Sequence, residues 1–365
     1  MRVGVITHHW VYNFGANLQA LSTFSLLDGL GHDVWILNYQ PPSLSDVYSR
    51  RVRAEQAKAH QDFCDMYLRQ SPICRSEDEL ISFCNGIGFD VIIVGSDAMF
   101  RLNRAQDRED TRFPNPYWLI WANSALVSQP ATAALSVSAM GSNYFSFPLN
   151  VQRGIAGAVR NMGYASVRDR WTQMMLLGVS WGRCRPHLSP DPVVVLNRVF
   201  DIPEVHREEP ASQAGNYVLL SFYDGMLSKA WVEEFVGCAH KEGLRVYSLP
   251  LPEGEVNCAV DQVIALPLAP LSWLEWIRHA AGFVGVRMHP VLCAMANGVP
   301  FLSFDSYQKS SLRHSSKVYA LCSDANSGAL CLSRAQVTRL SPSSAWALLR
   351  RQDPMHAERY VSHSV

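Results

Sequence analysis

At 365 residues the chain exceeds what one hydrophobic core usually organises, so two domains are expected. Apolar residues make up 48% and charged residues 18%, which suits a well-packed enzyme, and the balance of 32 Lys+Arg against 32 Asp+Glu excludes a global basic field for nucleic acid. The start MRVGVITHHW lacks a basic region followed by a long apolar run, and no stretch approaches the ~18 uninterrupted apolar residues of a membrane span. Neither a secretory leader nor a spanning helix is read, and a cytoplasmic protein is expected. Nine scattered cysteines, with no Cys-x-x-Cys or Cys/His zinc spacing, read as reduced thiols mostly in the core.

The chain opens on RVGVI (2–6), a short β-branched apolar run typical of a buried parallel strand. A polar, aromatic loop leads to Gly15 and a helix whose Ala16, Ala20, Phe24 and Leu27 share a face. Gly29 and Gly31 end it, and 34–37 is the next strand, which completes a β-α-β unit. Further strands are read at 90–94, 131–138 and 165–167, with a more polar, helical stretch between 44 and 84. Residues 101–130 read as a long loop.

The charged, proline-containing text of 201–216 reads as a linker. Beyond it strands are expected at 217–222, 244–249, 261–266, 282–286 and 301–304, alternating with helices at 228–241, 271–280 and 288–297. A last helix over 343–351 reads as returning toward the first domain. Alternating strands and helices mean mostly parallel sheets. The expectation is therefore an α/β protein with two Rossmann-like domains facing a cleft. These span 1–205 and 216–340, followed by a C-terminal helix and tail over 341–365.

Open parallel sheets bind ligands beyond the carboxyl ends of their strands. Four groups stand there. After the first strand come Asn13, Gly15 and Asn17; Gly15 lets backbone N–H groups approach an anion, while the asparagines serve equally well as helix caps. Gly95-Ser96-Asp97 offers a carboxylate for a sugar hydroxyl or for general base work, or a simple cap. Arg168, in SVRDR, has the planar fork that meets a carboxylate or phosphate, or else forms a surface pair with Asp169. Arg287-Met288-His289 runs from an apolar strand straight into a helix with Pro290 in its first turn. There the helix dipole favours anions, and Lys309 after the next strand adds a second cation. No Asp-x-Asp, Walker loop, His-Glu-x-x-His or Gly-x-Ser-x-Gly occurs, so no metal site and no organic cofactor are expected.

NFGANLQAL, FDVIIVGSD, SVRD and VGVRMHPVLCAMANGVPFLSFDSYQK, in this order over residues 1 to about 325, resemble the polysaccharide pyruvyltransferase family. The chain departs from that pattern at Ala98, Met99-Phe100 and Pro290. The resemblance implies a fold like the two-domain (GT-B-like) glycosyltransferases. It implies transfer of pyruvyl from phosphoenolpyruvate onto a sugar or lipid-linked oligosaccharide as a ketal. The first domain would then take the acceptor and the second the donor, with His289 and Asp97 as acid/base groups. Substrates would be bound by Arg168, Arg287, Lys309, Asn13, Gly15, Asn17 and Ser96. Peripheral membrane contact and no nucleic-acid partner are also expected. Two other readings stay open, a GT-B-type nucleotide-sugar glycosyltransferase and a non-catalytic carbohydrate-binding protein.

Overall fold

A computed structural model describes residues 1–50, 52–105, 108–256, 258–305 and 316–352. Contacts divide the chain into two units. Met1–Val11, Ala16–Arg51 and Gln61–Pro192 form the first; Tyr12–Gly15, Val52–His60 and Val193–Val365 form the second.

The first unit is built on six parallel strands: β1 (Arg2–Ile6), β2 (Asp33–Leu37), β3 (Val91–Val94), β4 (Ala131–Val137), β5 (Tyr164–Val167) and β6 (His187–Leu188). Their order is β2-β1-β3-β4-β5-β6, so the winding reverses between β1 and β3. The second unit holds β7 (Tyr217–Ser221), β8 (Arg245–Ser248), β9 (Gln262–Val263), β10 (Gly282–Gly285), β11 (Phe301–Asp305) and β12 (Cys331–Ser333). These are ordered β12-β11-β10-β7-β8-β9, the Rossmann arrangement, with its reversal between β7 and β10. Strands β7, β10 and β11 are buried throughout, which is why they read as unbroken apolar runs. Two Rossmann-like parallel sheets are thus present, as expected. The edge strands β6 and β12 escaped the sequence because two or three residues show no period.

Three readings need correction. The stretch 101–130 is not an unstructured loop: it holds the Ile120–Ala125 helix, and Tyr117, Trp118 and Leu119 are fully buried. Trp118 stacks on Phe100 at 4.2 Å, and Tyr144 meets its edge. Three consecutive buried side chains fit neither a helical nor an alternating period, so pattern reading missed them. The change of unit falls at Pro192–Val193, ahead of the 201–216 stretch read as the linker. That stretch instead carries short helical turns, with Pro210 buried and His206 Nδ1 2.8 Å from Ser272 Oγ. Finally, the Pro342–Arg350 helix packs on β10 and on the Lys229–His240 helix of the second unit. Leu349 lies against Gly282, and the Trp346 indole donates to Glu242 at 2.6 Å.

Trp118→Ala removes the centre of the first unit's aromatic cluster. It should lower stability by about 3–5 kcal/mol, read as a shift in urea midpoint at unchanged slope.

Candidate active site

In the second unit β7 and β10 run so close that a Cβ on Gly285 would lie 2.3 Å from the Ser221 carbonyl oxygen. Beyond this crossing the chain turns sharply. Arg287 takes φ 73°, ψ 155° immediately before the Met288–Ala296 helix, a conformation that costs a non-glycine residue energy and is retained where surrounding structure enforces it. The turn sends its guanidinium over the end of β7. Nη2 donates to Glu253 at 2.6 Å and Nε to the Tyr223 hydroxyl at 3.3 Å. Burial opposes its charge, yet Glu253 and Tyr223 more than offset this and hold the pKa above the ordinary arginine value.

His289 is the second residue of that helix and only 6% exposed. Its ring rests on the backbone of Gly15: a Cβ there would sit 2.0 Å from His289 Cγ. Asn13 Oδ1 accepts from the Gly15 N–H at 3.0 Å and so caps the Phe14–Gly29 helix. Phe14 stacks on Trp273 at 5.1 Å. Asn13, Gly15, Trp273, Arg287, His289 and Lys317 line one pocket of about 440 Å³, counted with its open mouth. Three helices begin at its wall, at Phe14, Met288 and Lys317. Helix N-termini together with Arg and Lys give this pocket a field that favours negative charge.

The reversal point of the first unit carries a different arrangement. Asp97 (φ 86°) follows β3, Arg168 follows β5, and Asp191 lies beyond β6. The Arg168 side chain is 4% exposed and held between Asp97 at 3.1 Å and Asp191 at 2.8 Å. The Gln19 amide also donates to Asp191, at 2.5 Å. Gly95 has φ 134°, and a Cβ on it would lie 2.0 Å from the Leu135 carbonyl oxygen, so only glycine fits before Ser96. Beside the triad, His8 Nε2, Ser96 Oγ and Arg168 Nε are buried with no hydrogen-bond partner among the described residues. Buried polar atoms in such a state are uncommon and mark this end of the sheet as unusual.

A family model described as polysaccharide pyruvyl transferase matches residues 13–307, the main body of the chain. The chain belongs to this family. No curated protein matches the sequence significantly. Solved structures share the fold. UDP-GlcNAc 2-epimerase from Neisseria meningitidis, bound to UDP-GlcNAc, has a TM-score of 0.58 at 10% identity, covering 100% of this chain and 98% of its own. The spinosyn forosaminyltransferase SpnP has 0.53 at 15% identity, covering 100% and 95%. A UDP-N-acetylglucosamine 2-epimerase assigned in Listeria monocytogenes has 0.54 at 11% identity, covering 99% and 90%. The fold of this pyruvyl transferase family member is therefore that of GT-B glycosyltransferases and epimerases.

The structure thus brings Asn13, Gly15, Arg287 and His289 together in one pocket and Ser96, Asp97 and Arg168 at another site. Asn17 stands apart from the pocket lining: its amide donates to the His9 carbonyl at 2.6 Å and fixes the loop after β1. Lys309 lies outside the described residues, and the lysine on the pocket wall is Lys317. Lys317, Glu253 and Asp191 were missed because each stands several residues from a strand end, and Tyr223, just past β7, because no motif accompanies it. The Ser-x-x-Tyr cap at 316–319 gave Lys317 a helix start but no tie to a site.

Two outcomes follow from this packing. Gly15→Ala must push the imidazole aside at its Cβ–Cγ root, and should cost about 1–3 kcal/mol in thermal or urea unfolding. His9 is fully buried, its Nδ1 3.2 Å from the Thr7 carbonyl and its Nε2 3.0 Å from the Gln70 amide oxygen. Burial lowers its pKa from 6.5 to about 4. The unfolded chain therefore binds the proton first. Stability is unaffected above pH 6.5 and falls as pH drops toward 4, by roughly 3 kcal/mol from this group. Urea midpoints should drop between pH 7 and 5 in the native chain and drop less in His9→Gln, the remainder coming from His8 and His60, whose pKa values burial also lowers.

Proposed function

We propose that this chain transfers the pyruvyl group of phosphoenolpyruvate onto a sugar as a ketal. The observation that carries the reading is the convergence of Arg287, Lys317 and three helix N-termini on one pocket with His289. Phosphoenolpyruvate presents a carboxylate and a phosphate on a three-carbon frame, and both need cations. In the reaction C3 takes a proton and becomes the ketal methyl group. C2 bonds to two sugar oxygens, and its bond to the phosphate oxygen breaks. One hydroxyl proton balances C3 and the other leaves with phosphate.

In this reading His289 delivers the proton to C3. The Arg287 fork holds a donor anion in exchange for Glu253, whose side chain is 43% exposed and is resolvated when released. Asp97 and the neighbouring Ser96 receive the sugar hydroxyls, and Arg168 serves Asp97 rather than the donor because two carboxylates already engage it. No metal or organic cofactor enters this scheme. A lipid-linked oligosaccharide is the acceptor class we favour, and the cytoplasm the compartment; no helix among the described residues is long and apolar enough to cross a membrane.

The test is phosphate release from phosphoenolpyruvate with free and lipid-linked sugars. Release that depends on an acceptor is expected. Uridine nucleotide release from a nucleotide sugar would replace this reading with glycosyl transfer, and sugar binding without turnover would make the chain a binding protein. Arg287→Ala should cost on the order of 2–5 kcal/mol in donor binding, and Arg287→Lys should restore little because the planar fork is gone. His289→Asn should lower turnover roughly 10²–10⁴-fold with donor affinity nearly kept. Near-normal turnover would remove His289 from the chemistry.

A further inference from the structure

Among the described residues, every large apolar side chain left exposed, apart from Val205, belongs to the first unit. The most exposed is Trp181, at 88%. It ends the Arg170–Val179 helix with φ 55° and is followed by Gly182 at φ 77°, a left-handed pair that turns the indole outward. Met174 and Gly178 stand four apart on one helix face, and just past the helix end the Trp181 N–H bonds back to the Gly178 carbonyl at 3.0 Å. Phe145, itself 52% exposed, lies on that face: a Cβ on Gly178 would be 2.4 Å from its Cζ. Phe145, Met174 and Trp181 are thus three exposed apolar side chains gathered around Gly178, an apolar strip.

The chain segment that carries this strip is cationic. From Asn143 to Leu188 the one acid is Asp169, buried and spent on capping the Arg170–Val179 helix, while Arg153, Arg160, Arg170, Arg183 and Arg185 are all exposed. No carboxylate pairs with Arg160, Arg183 or Arg185 among the described residues. These three precede the two paired strands β5 and β6. Arg160 ends the Leu149–Arg160 helix just before β5, and Arg183 and Arg185 precede β6. Tyr164 and His187, the first residues of those strands, stack at 5.4 Å. The acids farther along this sheet end are engaged: Asp33 pairs with Arg69, and Asp90 accepts from the Arg2 backbone.

We propose that this strip and its arginine rim dock on an anionic lipid bilayer. An exposed apolar patch of this kind marks an interaction surface. Trp beside Arg on an otherwise apolar strip is the chemistry of the interfacial zone, where rings enter the headgroup layer and cations meet lipid phosphates. Nucleic acid would use the arginines but leave Phe145 and Met174 in water. A symmetric contact with a second copy would set Arg183 and Arg185 close to their own equivalents.

Flotation with vesicles of phosphatidylcholine and phosphatidylglycerol tests this without reference to turnover, so its outcome is separate from that of the proposed transfer. The native chain should float with mixed vesicles, stay behind with phosphatidylcholine alone, and release as salt rises. Arg183→Glu with Arg185→Glu should weaken partitioning by at least tenfold, and Trp181→Ser should weaken it with unchanged thermal unfolding. Absence of flotation, or flotation indifferent to these substitutions, overturns the proposal. So would retention on nucleic acid in place of vesicles, or a dimer in light scattering that Trp181→Ser dissolves.

Discussion

Parallel strands can be joined only by crossovers, and those crossovers are right-handed, so a sheet wound in both directions must part its connections at one point. In this protein that constraint acts twice, between β1 and β3 and between β7 and β10. At each reversal the chain leaves two neighbouring strands in opposite directions, and polar side chains are exposed where the backbone ladder ends. Asp97 and Arg287 both stand there with positive φ, which shows how tightly the exits are bent. The pocket in the second unit exists because β10 must turn at once into a helix, which brings His289 onto the bare backbone of Gly15.

The two arginines differ in what surrounds them, and their chemistry differs accordingly. Arg168 is enclosed between two carboxylates, one of them Asp191 at 3% exposure, so removing either partner leaves charge stranded in a dry site. Such a group fixes geometry. Arg287 has one carboxylate partner, and Glu253 is near water. Such a pair can exchange its carboxylate for another anion at less cost than the enclosed one.

Much of this was legible in the sequence. The buried strands announced themselves as apolar runs, and NFGANLQAL and GVRMHP marked strand exits by the abrupt change from apolar to polar text. Trp118 was not legible, because a wedge between sheet and helix obeys neither helical nor strand period. Asp191 and Lys317 were not, since nothing local distinguishes them from surface residues. The linker misled for the opposite reason: charge and proline report exposure, whereas the boundary between units is set by which side chains touch.

Alone, the sequence determined the α/β alternation, the parallel sheets, the family, and the residue types at each strand exit, because burial and backbone geometry are local demands written in hydrophobicity and glycine. Which of those residues meet was decided by the tertiary fold. Strand order is a long-range choice, and it brought Tyr223 and Glu253 to Arg287 and Asp191 to Arg168, while the packing of residues 12–15 into the second unit brought Gly15 to His289.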